Sequence, residues 1–280
     1  DFFIAQLIYK CKTQCKKRAW LTLSVCIDLG ILCYFKYSYF IADVLNQMFG
    51  TPIEVTNVAG KWLNELTASS YFGVEKIILP VGISFYTFQI VSYTADVYKG
   101  LVKPVKNILD FGFYVSFFPQ LVAGPIVKAS DFIPQLYRRY FLSRRQFGIA
   151  IFWIVNGLIK KIVLSDYLAV NFIDRVFDNP MLFTGFENLS ALFLYSLQVY
   201  ADFSGYTDIA IGLSMLMGFH LPRNFNSPYK AANCSNFWKR WHISLSRWLQ
   251  TSLYIPLGGN RNITFGTILW IAILTLSAHL

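Results

Sequence analysis

Charged residues, and acidic residues above all, are scarce in this sequence. Only 14% of the 280 residues are charged, with 15 Asp and Glu against 25 Lys and Arg, whereas 55% are hydrophobic. Soluble domains usually carry about a quarter charged residues, so this composition argues against a soluble domain. Because several apolar runs approach the ~20 residues that cross a bilayer, we predict a membrane protein with several spans.

Cysteine and histidine are also few. The five cysteines are odd in number and lack the spacing of a zinc site, and no cysteine pair lies near the three histidines. The sequence therefore predicts neither a disulfide framework nor a metal site. A formal charge of +10 is compatible with nucleic-acid binding, but the basic residues cluster between apolar runs, which indicates the basic face of a membrane protein instead.

The charges of the loops predict how the chain crosses the membrane. We place basic loops in the cytoplasm by the positive-inside rule, and loops poor in Lys and Arg outside. The predicted spans are residues 19–41, 77–98, 146–164 and 188–219, and a last one that begins near Ile263. Residues 165–187 are then an outer loop, and residues 221–262, which contain no acidic residue, are cytoplasmic. Lys160 and Lys161 do not fit this pattern, so we expect them to face the protein interior or to snorkel.

Two of the apolar runs are expected to be broken. Residues 111–127 have basic loops on both sides, so a single crossing would place one loop on the wrong face. Pro119 and Gly124-Pro125 predict a break there, and hence a re-entrant hairpin or two half-helices that are shielded by protein or line a cavity. The second run, residues 188–219, is too long for one straight span, and we expect an interruption at "ADFSGYTD".

Asp202 and Asp208 lie in that second run and are candidates for function. A charge at this depth costs ~2.5–3.5 kcal/mol on insertion scales, so an intramembrane carboxylate is a functional candidate by default. The alternative is that each carboxylate pairs with an arginine or caps a broken helix. For Asp28, in the first span, we favour a structural role, because no residue type near it suggests chemistry.

His242 is the main candidate for catalysis. It directly follows Trp241, and three cations flank it, namely Lys239, Arg240 and Arg247. Aromatic and basic residues in this alternation are typical of a helix that lies along the cytoplasmic surface. In one interpretation this helix is only an anchor, in which His242 packs. In the other, the imidazole moves a proton near neutral pH and the cations hold an anionic donor such as a nucleotide-phosphate thioester.

The other two histidines are weaker candidates. His279 lies deep in the final apolar run, where an imidazole is costly unless it faces a polar cavity or a hydrogen-bond partner on another helix. His220 precedes Leu221-Pro222 and is interpreted most simply as an interfacial residue.

Seven motifs, in the order in which they occur, resemble those of a known family. They are "LPVGISFYTFQ", "FYVSFFPQLVAGPI", "NGLIKKIVLSDYLA", "QVYADFSGYTDIAIGL", "NFNSPY", "FWKRWHISLSRWL" and "YIPLGGNR". Over residues 79–261 the chain is similar to the membrane-bound O-acyltransferases, and within them to the branch that acetylates alginate. It departs from this branch at Leu249-Gln250-Thr251, where an arginine–aspartate pair is usual.

The resemblance implies an all-α, polytopic protein in which broken and re-entrant helices surround a central funnel. It implies one membrane-embedded acyltransferase domain over residues 1–280, in the cytoplasmic membrane of a bacterium. Because the sequence begins without Met and stops inside an apolar run, we expect it to be truncated at both ends.

The reaction implied by the resemblance moves an acetyl group from cytoplasmic acetyl-CoA to an extracytoplasmic polysaccharide hydroxyl or to a partner acetyltransferase. The family uses two histidines. His242 in the "RWH" motif corresponds to the first and would position or polarise the thioester. The second would be the general base. It is either His279, whose neighbours Ala278 and Leu280 differ from the family's motif, or a histidine beyond Leu280.

The resemblance also implies a set of substrate-binding residues, with no bound cofactor and no metal. The set consists of Lys239, Arg240, Trp241, Asn226, Asp202, Asp208 and Gln120.

Other functions stay open. Relatives that transfer D-alanine to teichoic acid share the "RWH" motif, although "PLGGNR" fits the acetylating branch better. A secondary transporter would also use broken helices and intramembrane aspartates, but it predicts an internal pseudo-symmetry that we do not find. A membrane scaffold would tolerate substitution of the histidines and aspartates.

Overall fold

The described part of this protein is built from helices. The computed structural model describes residues 1–67, 70–71 and 73–255, and no strand occurs in these ranges, which confirms the all-α class. The α-helices are α1 (Phe2–Lys10), α2 (Gln14–Leu32), α3 (Ser38–Phe49), α4 (Val58–Thr67), α5 (Ile83–Tyr98), α6 (Ile108–Ser116), α7 (Ala129–Leu136), α8 (Arg144–Leu158), α9 (Asp174–Asp178), α10 (Gly185–Leu216), α11 (Cys234–Trp238) and α12 (Ile243–Leu249). The chain divides into two compact units, Asp1–Pro104 and Val105–Leu280.

In the first unit, α1, α2 and α5 pack against one another. The side chains of Ala5 and Ile8 on α1 and of Tyr93 on α5 are fully buried there. Asp28 of α2 is also buried. A π-helical turn at Cys33–Tyr37 joins α2 to α3.

Helix α2, the π-helical turn and α3 form one continuous helix over Gln14–Phe49. It has 36 residues and is long and apolar enough to cross a membrane. A helix at the first predicted span, residues 19–41, is thereby confirmed.

The second predicted span begins later than expected. Helix α5 starts at Ile83 and has 16 residues, so the prediction of a helix from residue 77 was wrong. Pro80 has no N–H to donate to a helix, and Gly82 has a φ of 75°, a left-handed conformation that glycine adopts without strain. With a rise of about 1.5 Å per residue, α5 is about 24 Å long, shorter than the ~30 Å hydrocarbon core of a bilayer.

The predicted break within residues 111–127 is confirmed. Helix α6 ends at Ser116, and a short 3₁₀ turn follows at Phe118–Gln120. The chain then stays non-helical through Gly124-Pro125 until α7 begins at Ala129. Proline stands at both interruptions, where its ring and missing N–H oppose a continuous helix.

One helix runs over Arg144–Asp178, from α8 through two π-helical stretches to α9. It has 35 residues and is long and apolar enough to cross a membrane. The predictions of a span that ends at residue 164 and of a loop over residues 165–187 were therefore wrong. Glycine and proline are absent from residues 165–178, and Lys161 bonds to Asp166 at 2.7 Å along the same helix, so the charged side chains do not oppose its continuation.

Helix α10 is continuous over all 32 of its residues, so the predicted interruption at "ADFSGYTD" was wrong. The run contains no proline, and its glycines serve helix packing instead. A Cβ on Gly205 would lie 2.8 Å from the carbonyl oxygen of Gly157, and one on Gly212 would lie 2.6 Å from that of Ala150. Small residues therefore let the backbones of α8 and α10 approach closely, as at other membrane helix interfaces.

The variant Gly205→Val is expected to lower the stability of the full-length protein by about 1–3 kcal/mol or more, because the added side chain would push α8 and α10 apart. Thermal unfolding in detergent measures this loss. Gly148→Val is the matched control, since Gly148 lies in α8, the helix that Gly205 packs against, and a Cβ there would have no atom within 4 Å. Equal losses in the two variants would mean that the close approach contributes nothing.

Candidate functional site

His242 stands at a junction between two short helices. Helix α11 ends at Trp238 and α12 begins at Ile243, so the prediction of one interfacial helix through this stretch was wrong. The backbone of His242 has a φ of 43°, in the left-handed region that few residues other than glycine adopt. The chain therefore turns at His242, and the side chain is buried, with 7% of its surface exposed.

Hydrogen bonds tie the His242 junction to two distant segments. Ser244 Oγ donates to Asn224 Oδ1 at 2.6 Å and accepts the N–H of Ile126 at 3.0 Å. The N–H of Ile243 donates to the carbonyl of Asn224 at 2.9 Å. The motifs "LVAGPI", "NFNSPY" and "RWH" therefore meet at one place.

Asn224 and Ser244 were not among the predicted site residues. Asn224 is fully buried, and Ser244 is buried with 8% of its surface exposed. Small polar residues are common in loops and near helix starts, so their residue types alone did not distinguish them. The available signal was that Asn224 opens the "NFNSPY" motif and that Ser244 follows His242 by two residues.

Aromatic rings enclose Trp241 and His242. Phe203 of α10 meets the imidazole of His242 edge to face, with ring centroids 4.7 Å apart. Trp241 stacks on Phe237 at 5.5 Å and meets Phe225 edge to face at 5.2 Å. The predicted residue Trp241 thus packs within an aromatic cluster, and an aromatic ring fixes the imidazole of His242 from one side.

Arg240 holds the loop that contains Asn226. Its Nε donates to Asn236 Oδ1 at 2.8 Å and its Nη1 donates to the Asn226 carbonyl at 3.3 Å. In return, the carbonyl of Arg240 accepts the N–H of Asn226 at 3.0 Å. Two predicted substrate-binding residues are therefore joined to each other. The side chains of Asn226 and Lys239 are exposed.

Gln120 is buried at the break between α6 and α7, with 1% of its surface exposed. Its Nε2 donates to the carbonyl of Tyr114 at 3.4 Å, and the hydroxyl of Tyr114 donates to the carbonyl of Val127 at 2.9 Å. A Cβ on Gly124 would lie 2.3 Å from the Cα of Gln120, so glycine is required where the segment folds back. Gln120 thus lies inside the broken segment that reaches the His242 junction.

Asp202 and Asp208 bind the two lysines that did not fit the charge pattern. Asp208 Oδ2 accepts from Lys160 Nζ at 2.6 Å and from Asn156 Nδ2 at 2.8 Å. Asp202 Oδ1 accepts from Lys161 Nζ at 2.5 Å. The partners are lysines and not the expected arginines, and both lysines face α10. In the part of the chain that the structure describes, neither carboxylate bonds to the residues around the His242 junction.

A basic cavity of about 180 Å³ lies beside the junction. The residues that line it include Lys128, Asp131, Arg223, Ile243, Ser244 and Arg247. His242 is not on its wall, but the two residues that follow it are. The guanidinium of Arg223 also lies 5.2 Å from the centre of the Trp153 ring. Three cations against one carboxylate make this cavity suitable for a phosphate group.

Two predictions concern residues away from this site. His279 and the last predicted span lie outside the described residues. His220 is exposed, and its N–H donates to Gln135 Oε1 at 2.7 Å, so its backbone takes part in the fold.

Within residues 1–67, 70–71 and 73–255, no group of three or more His, Cys, Asp and Glu side chains is placed to hold a metal ion.

The chain is similar to bacterial proteins whose names describe O-acetylation or D-alanyl transfer. It is 42% identical to the "Probable alginate O-acetylase AlgI" of Azotobacter vinelandii, over 91% of this chain and 48% of that protein. It is 37% identical to the "Peptidoglycan O-acetyltransferase" of Helicobacter pylori, over 93% of this chain and 51% of that protein. A "Teichoic acid D-alanyltransferase" of Bacillus subtilis is 28% identical, over 65% of this chain and 46% of its own length.

The extent of these matches establishes a family. The chain spans about half the length of the first two relatives. A sequence model of the membrane-bound O-acyltransferase family matches residues 20–279, which include all seven motifs and His242 with the residues around it. The chain therefore belongs to the membrane-bound O-acyltransferase family.

Proposed function

We propose that this protein is an O-acetyltransferase that modifies a bacterial cell-surface polysaccharide. The observation that carries the proposal is the meeting of three family motifs at His242, beside a basic cavity. The names of two relatives, an alginate O-acetylase and a peptidoglycan O-acetyltransferase, support acetyl as the group and a polysaccharide hydroxyl as the acceptor.

The proposed donor is acetyl-CoA from the cytoplasm, used as a substrate and not as a resident cofactor. The cations Lys128, Arg223 and Arg247 would bind a phosphate of the donor. His242, next to this cavity, would position or polarise the thioester carbonyl. Its left-handed backbone and the contact with Phe203 hold the imidazole in one orientation, which such a role requires.

In the proposed reaction, a general base removes the proton of the acceptor hydroxyl while the oxygen attacks the carbonyl carbon of the thioester. The carbon–sulfur bond breaks, and CoA leaves as a thiol after it receives a proton. The products are an acetyl ester and CoA. We assign the base to His279 or to a later histidine, and the remaining predicted residues to substrate binding.

We further propose that the protein crosses the bacterial inner membrane several times around a central funnel. The helices Gln14–Phe49 and Arg144–Asp178 support this arrangement by their length and hydropathy. The broken segment between α6 and α7 supports an internal passage, because non-helical backbone at membrane depth must be shielded or line a cavity. The acetyl group would leave the funnel for the polysaccharide itself or for an extracytoplasmic partner acetyltransferase.

Mass spectrometry of the cell-surface polysaccharide, with and without the full-length gene, tests this function. We expect O-acetyl esters on the polysaccharide only when the gene is present. D-alanyl esters on teichoic acid in their place would establish the second candidate, which the teichoic acid relative supports. An unchanged ester content, together with gene-dependent uptake of a solute, would identify a transporter instead.

The variant Arg247→Gln is expected to raise the KM for acetyl-CoA by roughly tenfold or more, because a hydrogen bond to a charged phosphate contributes about 1.5–3 kcal/mol. We expect kcat to be unchanged, which would show that the variant binds acetyl-CoA more weakly without a loss in the chemical step. An acetyl thioester of pantetheine, which has no phosphate, should be used equally well by both proteins. Lys230→Gln is the matched control, since Lys230 is exposed and does not line the cavity. An unchanged KM in Arg247→Gln would place the phosphate elsewhere.

A further inference from the structure

A basic surface surrounds the start of the long apolar helix Arg144–Asp178. Four arginines form it, namely Arg138, Arg139, Arg144 and Arg145, and all four are exposed. Within the described residues none of the four forms an ion pair, since the ion pairs there join Lys160 and Lys161 to aspartates. We call this set the arginine surface. Four uncompensated cations within eight residues attract an anion.

Exposed aromatic rings accompany these arginines. Tyr137, Tyr140, Phe141 and Phe147 are 67%, 51%, 81% and 50% exposed. Large rings next to cations at the end of an apolar helix are typical of the level at which lipid headgroups meet acyl chains. The arginine surface therefore has the composition of a lipid-contacting region.

A cavity of about 360 Å³ lies between the arginine surface and the C-terminal end of α10. Arg138, Arg139, Tyr140, Phe141 and Gln146 line one side, and Met215, Met217 and Gly218 line the other. The cavity thus combines two guanidinium groups with apolar and aromatic walls, as a phosphate attached to acyl chains would require.

The wall formed by Tyr140 is held in place by two specific contacts. Its hydroxyl donates to the carbonyl of Leu216 at the end of α10. Its ring lies against Gly218, where a Cβ would come within 2.4 Å of it, and Gly218 has a φ of 88°. A larger residue at position 218 would be strained and would displace the ring. These contacts fix the position of Tyr140, so the fold of the second unit determines the shape of this wall of the cavity.

We propose that this cavity binds the headgroup of an anionic phospholipid. The phosphate would lie between Arg138 and Arg139, with further attraction from Arg144 and Arg145. The acyl chains would follow an exposed apolar face of α8, where Phe147 and Ile151, one turn apart, are 50% and 38% exposed. Basic pockets at the cytoplasmic ends of membrane helices bind such headgroups through the same chemistry. The proposal does not depend on which acyl group the enzyme transfers.

Native mass spectrometry of the full-length protein, purified in detergent and titrated with phosphatidylglycerol, tests the proposal. The double variant Arg138→Gln/Arg139→Gln is expected to weaken phosphatidylglycerol binding by about 30-fold, since each cation near an anionic lipid contributes roughly a factor of five. Phosphatidylcholine, which has no net charge, should bind weakly to both proteins. Because both arginines are exposed, the double variant is expected to fold.

The matched control is Lys12→Gln/Lys16→Gln, which removes the same charge from two exposed lysines in the first unit. We expect this control to retain the affinity of the unmodified protein for phosphatidylglycerol. Equal losses in the two double variants would show only general attraction to basic surfaces and would overturn the proposal. Displacement of the lipid by an equimolar amount of inorganic phosphate would also overturn it, because the site would then recognise a free anion.

Discussion

The variant His242→Asn is expected to abolish acetyl transfer while the protein stays folded in the membrane. Asparagine tolerates the left-handed backbone that His242 adopts, with a φ of 43°, and can still form hydrogen bonds. It cannot present an imidazole ring to the thioester carbonyl. We expect the rate of acetyl transfer to fall by about 10²–10³-fold, the usual cost of removing one group that stabilises the developing charge on the carbonyl oxygen.

Two further variants separate chemistry from folding. His242→Ala is expected to be equally inactive but less stable than His242→Asn, because alanine lacks the tolerance of asparagine for a positive φ and leaves a larger space beside Phe203. His220→Asn is the matched control, since His220 is exposed, and it should retain the full rate. Acetyl transfer by labelled acetyl-CoA and thermal unfolding in detergent measure the two effects. A fully active His242→Asn protein would end any chemical role for this residue.

The second large effect is expected at the ion pair between Lys160 and Asp208. The variant Lys160→Met leaves the Asp208 carboxylate, whose side chain is only 9% exposed, without its cation. Removing one partner of a buried pair usually costs about 3–5 kcal/mol, because an uncompensated charge stays buried. We therefore expect a large fall in the unfolding temperature of the detergent-solubilised protein, and reduced insertion in the cell.

The double variant Lys160→Met/Asp208→Leu tests this interpretation. It removes both charges, so most of the lost stability should return. Lys61→Met is a matched control in α4, where the lysine is exposed, and should change stability by less than about 1 kcal/mol. If the double variant regains stability but lacks activity, Asp208 has a role in the reaction as well. If the unfolding temperature of Lys160→Met is no lower than that of Lys61→Met, the ion pair between Lys160 and Asp208 does not contribute to stability.

Local properties of the sequence determined a good part of this protein. The apolar runs predicted helices over residues 19–41 and 146–164, which lie within the observed helices Gln14–Phe49 and Arg144–Asp178, because hydropathy acts residue by residue. The break before α7 followed from Pro119 and Gly124-Pro125, which oppose a helix wherever they stand. The motif "RWH" identified His242 as the main candidate, and the order of the seven motifs predicted the family over residues 79–261, which the family model's match to residues 20–279 confirms.

Tertiary structure decided the rest, because the deciding contacts join residues far apart in the chain. Helix α10 continues through "ADFSGYTD" because Gly205 packs on α8 and because Lys160 and Lys161, more than 40 residues earlier, compensate its aspartates. Likewise, Ser244 became a site residue only through its bond to Ile126, 118 positions away. The energetic cost of a buried charge and the geometry of a polar junction depend on residues that are distant in sequence. A local sequence pattern does not identify those residues, so only the tertiary structure revealed these contacts.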